Sequence, residues 1–256
     1  PSFVAISNLA WRLDDAKKYK FVQKLPYYSY KAFFFAPHET LFDYEAGEMK
    51  EHEEENLPKV AIIGIRKIDL KAVAFYDEAF KNDAYYQKRR KNILIIAHDV
   101  ELEKENSSFL EQYSRDRLED LPFDIFLQEA PKDTKVCSGT PLGERLLKKI
   151  AQKKYQAVKY SGARKNDKET LELKSVMDKA KLTDKMWEDL GALCIACGQC
   201  TLSCPTCYCF AVMEEPVLGI NKGKRVRAWD ACYYSEFSRV TGGHRFQDTV
   251  AKKIHF

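Results

Sequence analysis

The chain has 256 residues, 45% hydrophobic and 31% charged, with a formal net charge of +4 and a mean hydropathy of −0.47. So small a charge gives no footing for nucleic acid. The longest apolar stretches, VAIIGI from Val60 and ILIIA from Ile93, fall far short of the ~20 residues a membrane span needs. The opening PSFVAISNLAWRLDD has no signal-peptide apolar region, so the expectation is cytoplasmic. It also lacks an initiator Met, which reads as a start after processing or disorder.

The length suits one large domain, or a domain of roughly 150–180 residues with a smaller module. The aromatic stretch YYSYKAFFFAPHETLFDYE, from Tyr27, reads as strand or loop. KVAIIGI reads as a buried strand, followed by a helix over DLKAVAFYDEAF with Leu70, Val73, Ala74 and Phe80 on one side. NILIIAHD and FDIFLQEA are further strands. A helix begins at Thr140, with Pro141 at its favoured first position. These elements predict an α/β (or α+β) N-terminal domain. Residues 164–185 are Lys-rich and read as a polar helix or connector. The boundary is therefore drawn near 180–186, giving an α/β domain over 1–185 and a small ferredoxin-like module over 186–256. No G-x-G-x-x-G follows any strand, and no P-loop, G-x-S-x-G or internal repeat is present.

Charge is unevenly distributed. Residues 37–57 carry eight acids against one base, and residues 216–256 carry eight bases against three acids. Each run reads as a solvated surface, or as a contact surface for a neighbour in a complex.

Seven of the eight cysteines lie between Cys194 and Cys232, and Cys137 stands apart as a free core or surface thiol. Such crowding without signs of secretion points to metal rather than disulfides. Cys194, Cys197, Cys200 and Cys204 have the spacing C-x2-C-x2-C-x3-C and precede Pro205, the bacterial ferredoxin run for a [4Fe–4S] cluster. Thiolates two residues apart wrap one tight loop around a cubane, and Gly198 lets that loop turn closely. Structural zinc usually needs two C-x2-C knuckles a dozen or more residues apart, a poor match here. In two-cluster ferredoxins the fourth cysteine of the run serves the other cluster, whose own trio lies further along. No second trio appears, so Cys204 closes the first cluster alone or the chain stops short. Cys207, Cys209 and Cys232 are left over, either as ligands of a second cluster or as inert thiols. The period-two rule puts Cys207 and Cys209 on one side of an extended segment, and the expectation is that all three lie close together.

The block MWEDLGALCIACGQCTLSCPTCYCF…RVRAWDACYYSEFSRVTGGHRF resembles the iron–sulfur beta subunit of cytosolic sulfhydrogenases and the corresponding iron–sulfur subunit of anaerobic sulfite reductases. The resemblance lies in Trp187, CPTCYC, WDAC at 229–232 and GGHRF at 242–246, and more loosely in four N-terminal segments. It implies an electron-relay subunit of a cytoplasmic oxidoreductase complex. Its partners would be a flavin-containing, NAD(P)H-linked subunit and another subunit carrying the catalytic metal. The chain departs from the family in having RKID in the turn after AIIGI, where members carry a cysteine. It also has none of their cysteines in AHDVELEKENSSF and no second ferredoxin trio, so the chain reads as truncated or partly ordered, or else as a shortened relative.

His244 reads as a ligand or proton-transfer group or, by preference, as placed by its Gly-Gly turn to bond backbone or shield a cluster, and Trp187 and Trp229 read as packing rather than electron conduits. Arg225, Arg227 and Arg245 read either as partners of another subunit's carboxylates or as counter-charges to a cluster. Lys67 and Asp69 read as solvated turn residues. No acid–base pair or activated nucleophile suggests substrate chemistry. The reading from another class is a non-redox binding or scaffold protein with a structural zinc or iron–sulfur module.

Overall fold

The computed structural model describes residues 3–6, 9–12, 29–52, 57–99, 116–128, 134–162, 175, 179 and 185–255. The apolar runs form the parallel centre of a sheet. β5 (Val60–Ile65), β6 (Ile93–Asp99) and β7 (Ile125–Gln128) run parallel, and β1 (Phe3–Ile6) joins them beside β5. β2 (Leu9–Arg12) lies antiparallel to β1, β8 (Lys135–Ser138) antiparallel to β7, and the short β9 (Gln156–Ala157) parallel to β8. The order across the sheet is β2-β1-β5-β6-β7-β8-β9. Continuous β-branched runs suit strands covered on both faces, and Ile62, Ile65, Ile95 and Ala97 are wholly buried.

α1 (Lys31–Phe34) is a single short turn, so the aromatic opening is partly helix. α2 (Lys67–Ala79) buries Leu70, Val73, Ala74 and Tyr76. Phe80 follows the helix end and stacks 5.1 Å from Phe35 and 5.5 Å from Tyr86. α3 (Ala84–Lys91) is a helix that periodicity does not announce, because AYYQKRRK buries Tyr86 alone. Its start is fixed locally, by Asp83 accepting the Tyr86 N–H at 2.8 Å. α4 (Pro141–Lys149) starts where Thr140 and Pro141 place it, with Thr140 Oγ1 accepting the Gly143 N–H at 3.1 Å. Most of the Lys-rich stretch 164–185 lies outside the described residues.

Lys67 and Asp69 are not solvated turn residues. The helix already begins at Lys67, which turns Asp69 inward to 9% exposure. Desolvation pushes its carboxyl up to about 6, against the opposing pull of Arg66. Lys67 Nζ pairs with Asp99 at 3.1 Å.

The chain separates into two compact units, residues 1–35 with 54–163, and residues 36–53 with 164–256. The second holds an antiparallel sheet, ordered β10-β11-β3-β4, made of β3 (His38–Glu45), β4 (Glu48–Glu51), β10 (Phe210–Pro216) and β11 (Lys222–Trp229). The division differs from a single boundary at 185, because β3 pairs with β11 and so draws residues 36–53 to the cysteine-bearing unit. The cause is visible in the charges. Much of the acidic run faces the basic run within this sheet: Lys222 bonds Glu45 at 3.3 Å, Lys224 lies opposite Asp43, and Arg227 is paired with Glu39. Both contact surfaces foreseen for neighbours are thus partly used inside the chain.

Candidate metal centre

Three helices and the end of the β10–β11 ladder position the cysteines. α5 (Lys185–Leu193) leads into the loop, α6 (Gln199–Ser203) follows it, and α7 (Val250–His255) packs back on α5. That crossing is close: a Cβ on Gly191 would come within 3.0 Å of the Ala251 backbone nitrogen. One turn away Trp187, buried, meets His255 edge-on at 5.2 Å, the packing role its sequence context suggests.

Between α5 and α6 the loop 194–198 carries two left-handed residues, Ala196 at φ 52° and Gly198 at φ 73°. Left-handed residues of this kind occur in the turns whose backbone N–H groups receive anions and iron–sulfur sulfurs. The Ala196 N–H already points to Cys194 Sγ at 3.4 Å. Cys197 and Cys200 are exposed and Cys194 partly so, and all three are free thiols. The loop and its donor set fit a cubane. Among the described residues, no three His, Cys, Asp or Glu side chains are grouped as one bare ion would need. A cubane makes a different demand, one ligand on each of four irons.

Cys204 ends α6 with extended backbone, its N–H bonded to the Cys200 carbonyl at 3.1 Å. Its Sγ lies 3.2 Å from Thr206 Oγ1. Cys207 follows through a turn, its N–H donating to the Cys204 carbonyl at 3.3 Å. Burial first, then the neighbouring Cys207, Cys232 and Asp230, push the Cys209 thiol up to about 11. Cys232 is raised by burial first, then by Cys207 and Cys200. Cys207, Cys209 and Cys232 are therefore mutual electrostatic neighbours. Cys137 is elsewhere, buried in β8 of the first unit, its thiol raised by desolvation.

The WDAC segment lies directly on the ferredoxin loop. A Cβ on Gly198 would meet Tyr234 Cε1 at 2.9 Å and the Ala231 Cβ at 3.3 Å. Tyr233 lies beside Cys200 and within electrostatic reach of Cys194 and Cys232; burial first, then these thiols, raise its phenol. Sequence reasoning passed over Tyr233, since nothing in ACYYS distinguishes it from Tyr234. The arginines find partners in their own chain: Arg225 with Glu214 at 2.5 Å, Arg245 with Glu236 at 2.7 Å, and Arg227 with Glu39. His244 is exposed and edge-on to Phe246 at 5.0 Å, and its carbonyl accepts the Val240 N–H at 2.9 Å. Trp229 continues the ladder opposite Phe210.

Residues 193–256 match a family described as a 4Fe-4S dicluster domain. The chain is also 28% identical over 240 residues to the protein named Sulfhydrogenase 2 subunit beta from Pyrococcus furiosus, covering 86% of this chain and 68% of that one. No solved structure matches. Among the described residues, no helix is long and apolar enough to cross a membrane. The resemblance carried by the cysteine block thus extends across most of the chain, and its C-terminal part is a 4Fe-4S dicluster domain with at least one [4Fe–4S] cluster.

Proposed function

We propose that this chain is the electron-transfer iron–sulfur subunit of a cytoplasmic oxidoreductase complex of the sulfhydrogenase or anaerobic sulfite reductase type. It relays electrons between a flavin-containing, NAD(P)H-linked subunit and another subunit carrying the catalytic metal. Cys194, Cys197 and Cys200 hold the cubane, with Cys204 as the run's fourth cysteine. The observation that carries the reading is the ferredoxin run itself, wound through the left-handed Ala196 and Gly198 into a tight loop. A [4Fe–4S] core in such a loop supplies one-electron transfer. The residues of this chain hold it, exclude part of the water around it and set its potential.

The rim of the loop supports a relay. Leu193 and Ile195 flank Cys194 and are 82% and 85% exposed. Apolar side chains left in water beside a redox centre suit docking of another subunit close enough for electron transfer. The first test is optical. Purified without oxygen, the chain is expected to absorb broadly near 400 nm and to bleach on reduction with dithionite. A colourless protein holding zinc would instead support the scaffold reading. Co-purification of the intact complex, with each subunit identified by mass, tests the partners.

A further inference from the structure

From Leu190 to Met213 the sequence carries no Asp, Glu, Lys, Arg or His, so the cysteine loop brings no counter-charge of its own. A core held by thiolates is anionic, and reduction makes it more so. The cations from Arg225 to Lys252 are already matched. Arg225 lies 2.5 Å from Glu214, Arg227 is paired with Glu39, Arg239 and Arg245 share Glu236, and Lys252 lies 2.6 Å from Asp248. Lys253 is held differently: its Nζ donates to the Tyr233 carbonyl at 2.8 Å, and among the described residues no carboxylate pairs with it. We propose that Lys253 is the fixed positive charge that raises the reduction potential of the cluster on Cys194, Cys197 and Cys200. This rests on the iron–sulfur reading above and deepens it, by assigning to a lysine outside the cysteine motif the counter-charge role that the sequence leaves open for Arg225, Arg227 and Arg245.

Backbone packing on two sides places this charge. The first side is the turn that covers the loop. The Tyr234 N–H donates to the Ala231 carbonyl at 2.9 Å, and the same two residues are those a Cβ on Gly198 would strike. The carbonyl that Lys253 grips belongs to that turn. The second side is the helix that leads into the loop. Cys194 continues α5, its N–H bonded to the Leu190 carbonyl at 3.1 Å, and α7 crosses α5 where Gly191 meets Ala251, two residues before Lys253. Successive residues of a helix point about 100° apart. Lys252 therefore turns to Asp248 while Lys253 turns to Tyr233.

The charge is felt where it is needed. Lys253 is half-buried, so salt screens it less than a cation on the open surface. The Cys232 thiol, raised by burial and then by Cys207 and Cys200, is pulled back by Lys253. Reduction adds one electron to the core, and a cation held nearby favours the more negative state. The carbonyl contact fixes the position of the ammonium without cancelling its charge, which a carboxylate partner would do.

The test uses the full chain, reconstituted with iron and sulfide without oxygen. It reads iron per chain and the midpoint of a redox titration followed by visible absorption. Lys253→Met keeps the aliphatic stem and removes the charge, so iron content should hold while the midpoint moves to a more negative value. Lys253→Arg keeps the charge and should stay near the wild type. Lys252→Met removes the same charge from the same helix at the position turned to Asp248, and should move the midpoint less. If Lys253→Met does not fold by circular dichroism, Lys253→Gln carries the same expectation, because its amide can still donate to the Tyr233 carbonyl. An unchanged midpoint without the Lys253 charge, or an equal shift in Lys252→Met, would overturn the assignment and leave the relay reading standing. Loss of iron or of the fold in both neutral variants would also overturn it, making Lys253 a structural tie. A wild type that takes up no iron overturns the relay reading as well.

Discussion

Glu39 and Arg227, 188 residues apart, form a buried ion pair across the second sheet, each side chain 5% exposed. The guanidinium Nε donates to Glu39 Oε2 at 3.1 Å, Nη2 bonds the same oxygen, and the group sits 5.4 Å from the centre of the Phe210 ring. The pair clamps β3 onto β11, the strand that delivers WDAC to the cysteine loop. Glu39→Ala strands a buried guanidinium, and the expected cost is about 3–5 kcal/mol in urea unfolding. Replacing both partners, as Glu39→Leu/Arg227→Met, should recover most of that loss, because apolar packing removes two desolvation penalties together. A double variant as unstable as the single one would mean that the charges themselves hold the sheet.

The same pair shows what sequence could and could not convey. The opposite charge runs are plain in the sequence, yet their pairing depends on a strand contact between residues far apart in the chain, which no local pattern encodes. The β5 and β6 strands and the start of α4 are legible because each rests on local signals: an apolar β-branched run, or Thr-Pro at a helix start. α3 is not, because its buried surface is a single tyrosine. Around the cysteines, spacing alone conveys the ferredoxin loop. The packing of Ala231, Tyr233 and Tyr234 against it arises only when β11 turns back.

Gly198 tests whether the shape of that loop matters to cluster binding. At φ 73° an alanine adds about 1–2 kcal/mol of backbone strain. Its Cβ also meets Tyr234, whose exposed ring can shift, and the wholly buried Ala231, which cannot easily do so. Gly198→Ala is expected to lower absorbance near 400 nm per chain after reconstitution, and Gly198→Val to lower it further. Full cluster content in Gly198→Val would show that the loop can bind in another conformation.

Asp69 gives the first unit a pH dependence of definite sign. Its folded pKa, about 6, lies above the unfolded value near 3.9, so the fold favours the protonated acid. Its contribution is fully present below about pH 4 and is lost as pH rises through about 6, leaving a penalty of about 3 kcal/mol at neutral pH. Asp69→Asn keeps the shape without the charge. The stability difference between variant and wild type should therefore move in the variant's favour between pH 5 and pH 7.5, as read from urea unfolding at each pH. A difference that stays constant across that range would mean the carboxylate is stabilised when charged.

Tyr233 is expected to set the potential of the cluster on Cys194, Cys197 and Cys200. Its hydroxyl lies beside Cys200, and burial together with the neighbouring Cys200, Cys194 and Cys232 raises its pKa, so the phenol stays protonated and can donate to a ligating sulfur. A donor aimed at a ligating sulfur favours the more negatively charged, reduced cluster and so raises the reduction potential. Tyr233→Phe removes the hydroxyl and keeps the ring, which separates the hydrogen bond from water exclusion. Iron content should stay unchanged while the midpoint in a redox titration, followed at 400 nm, moves to a more negative value. Tyr234→Phe, which leaves the Tyr233 hydroxyl in place, should not move it. An unchanged midpoint in Tyr233→Phe would show that the hydroxyl does not act on the bound cluster. Loss of iron in that variant would make Tyr233 a packing residue of the loop.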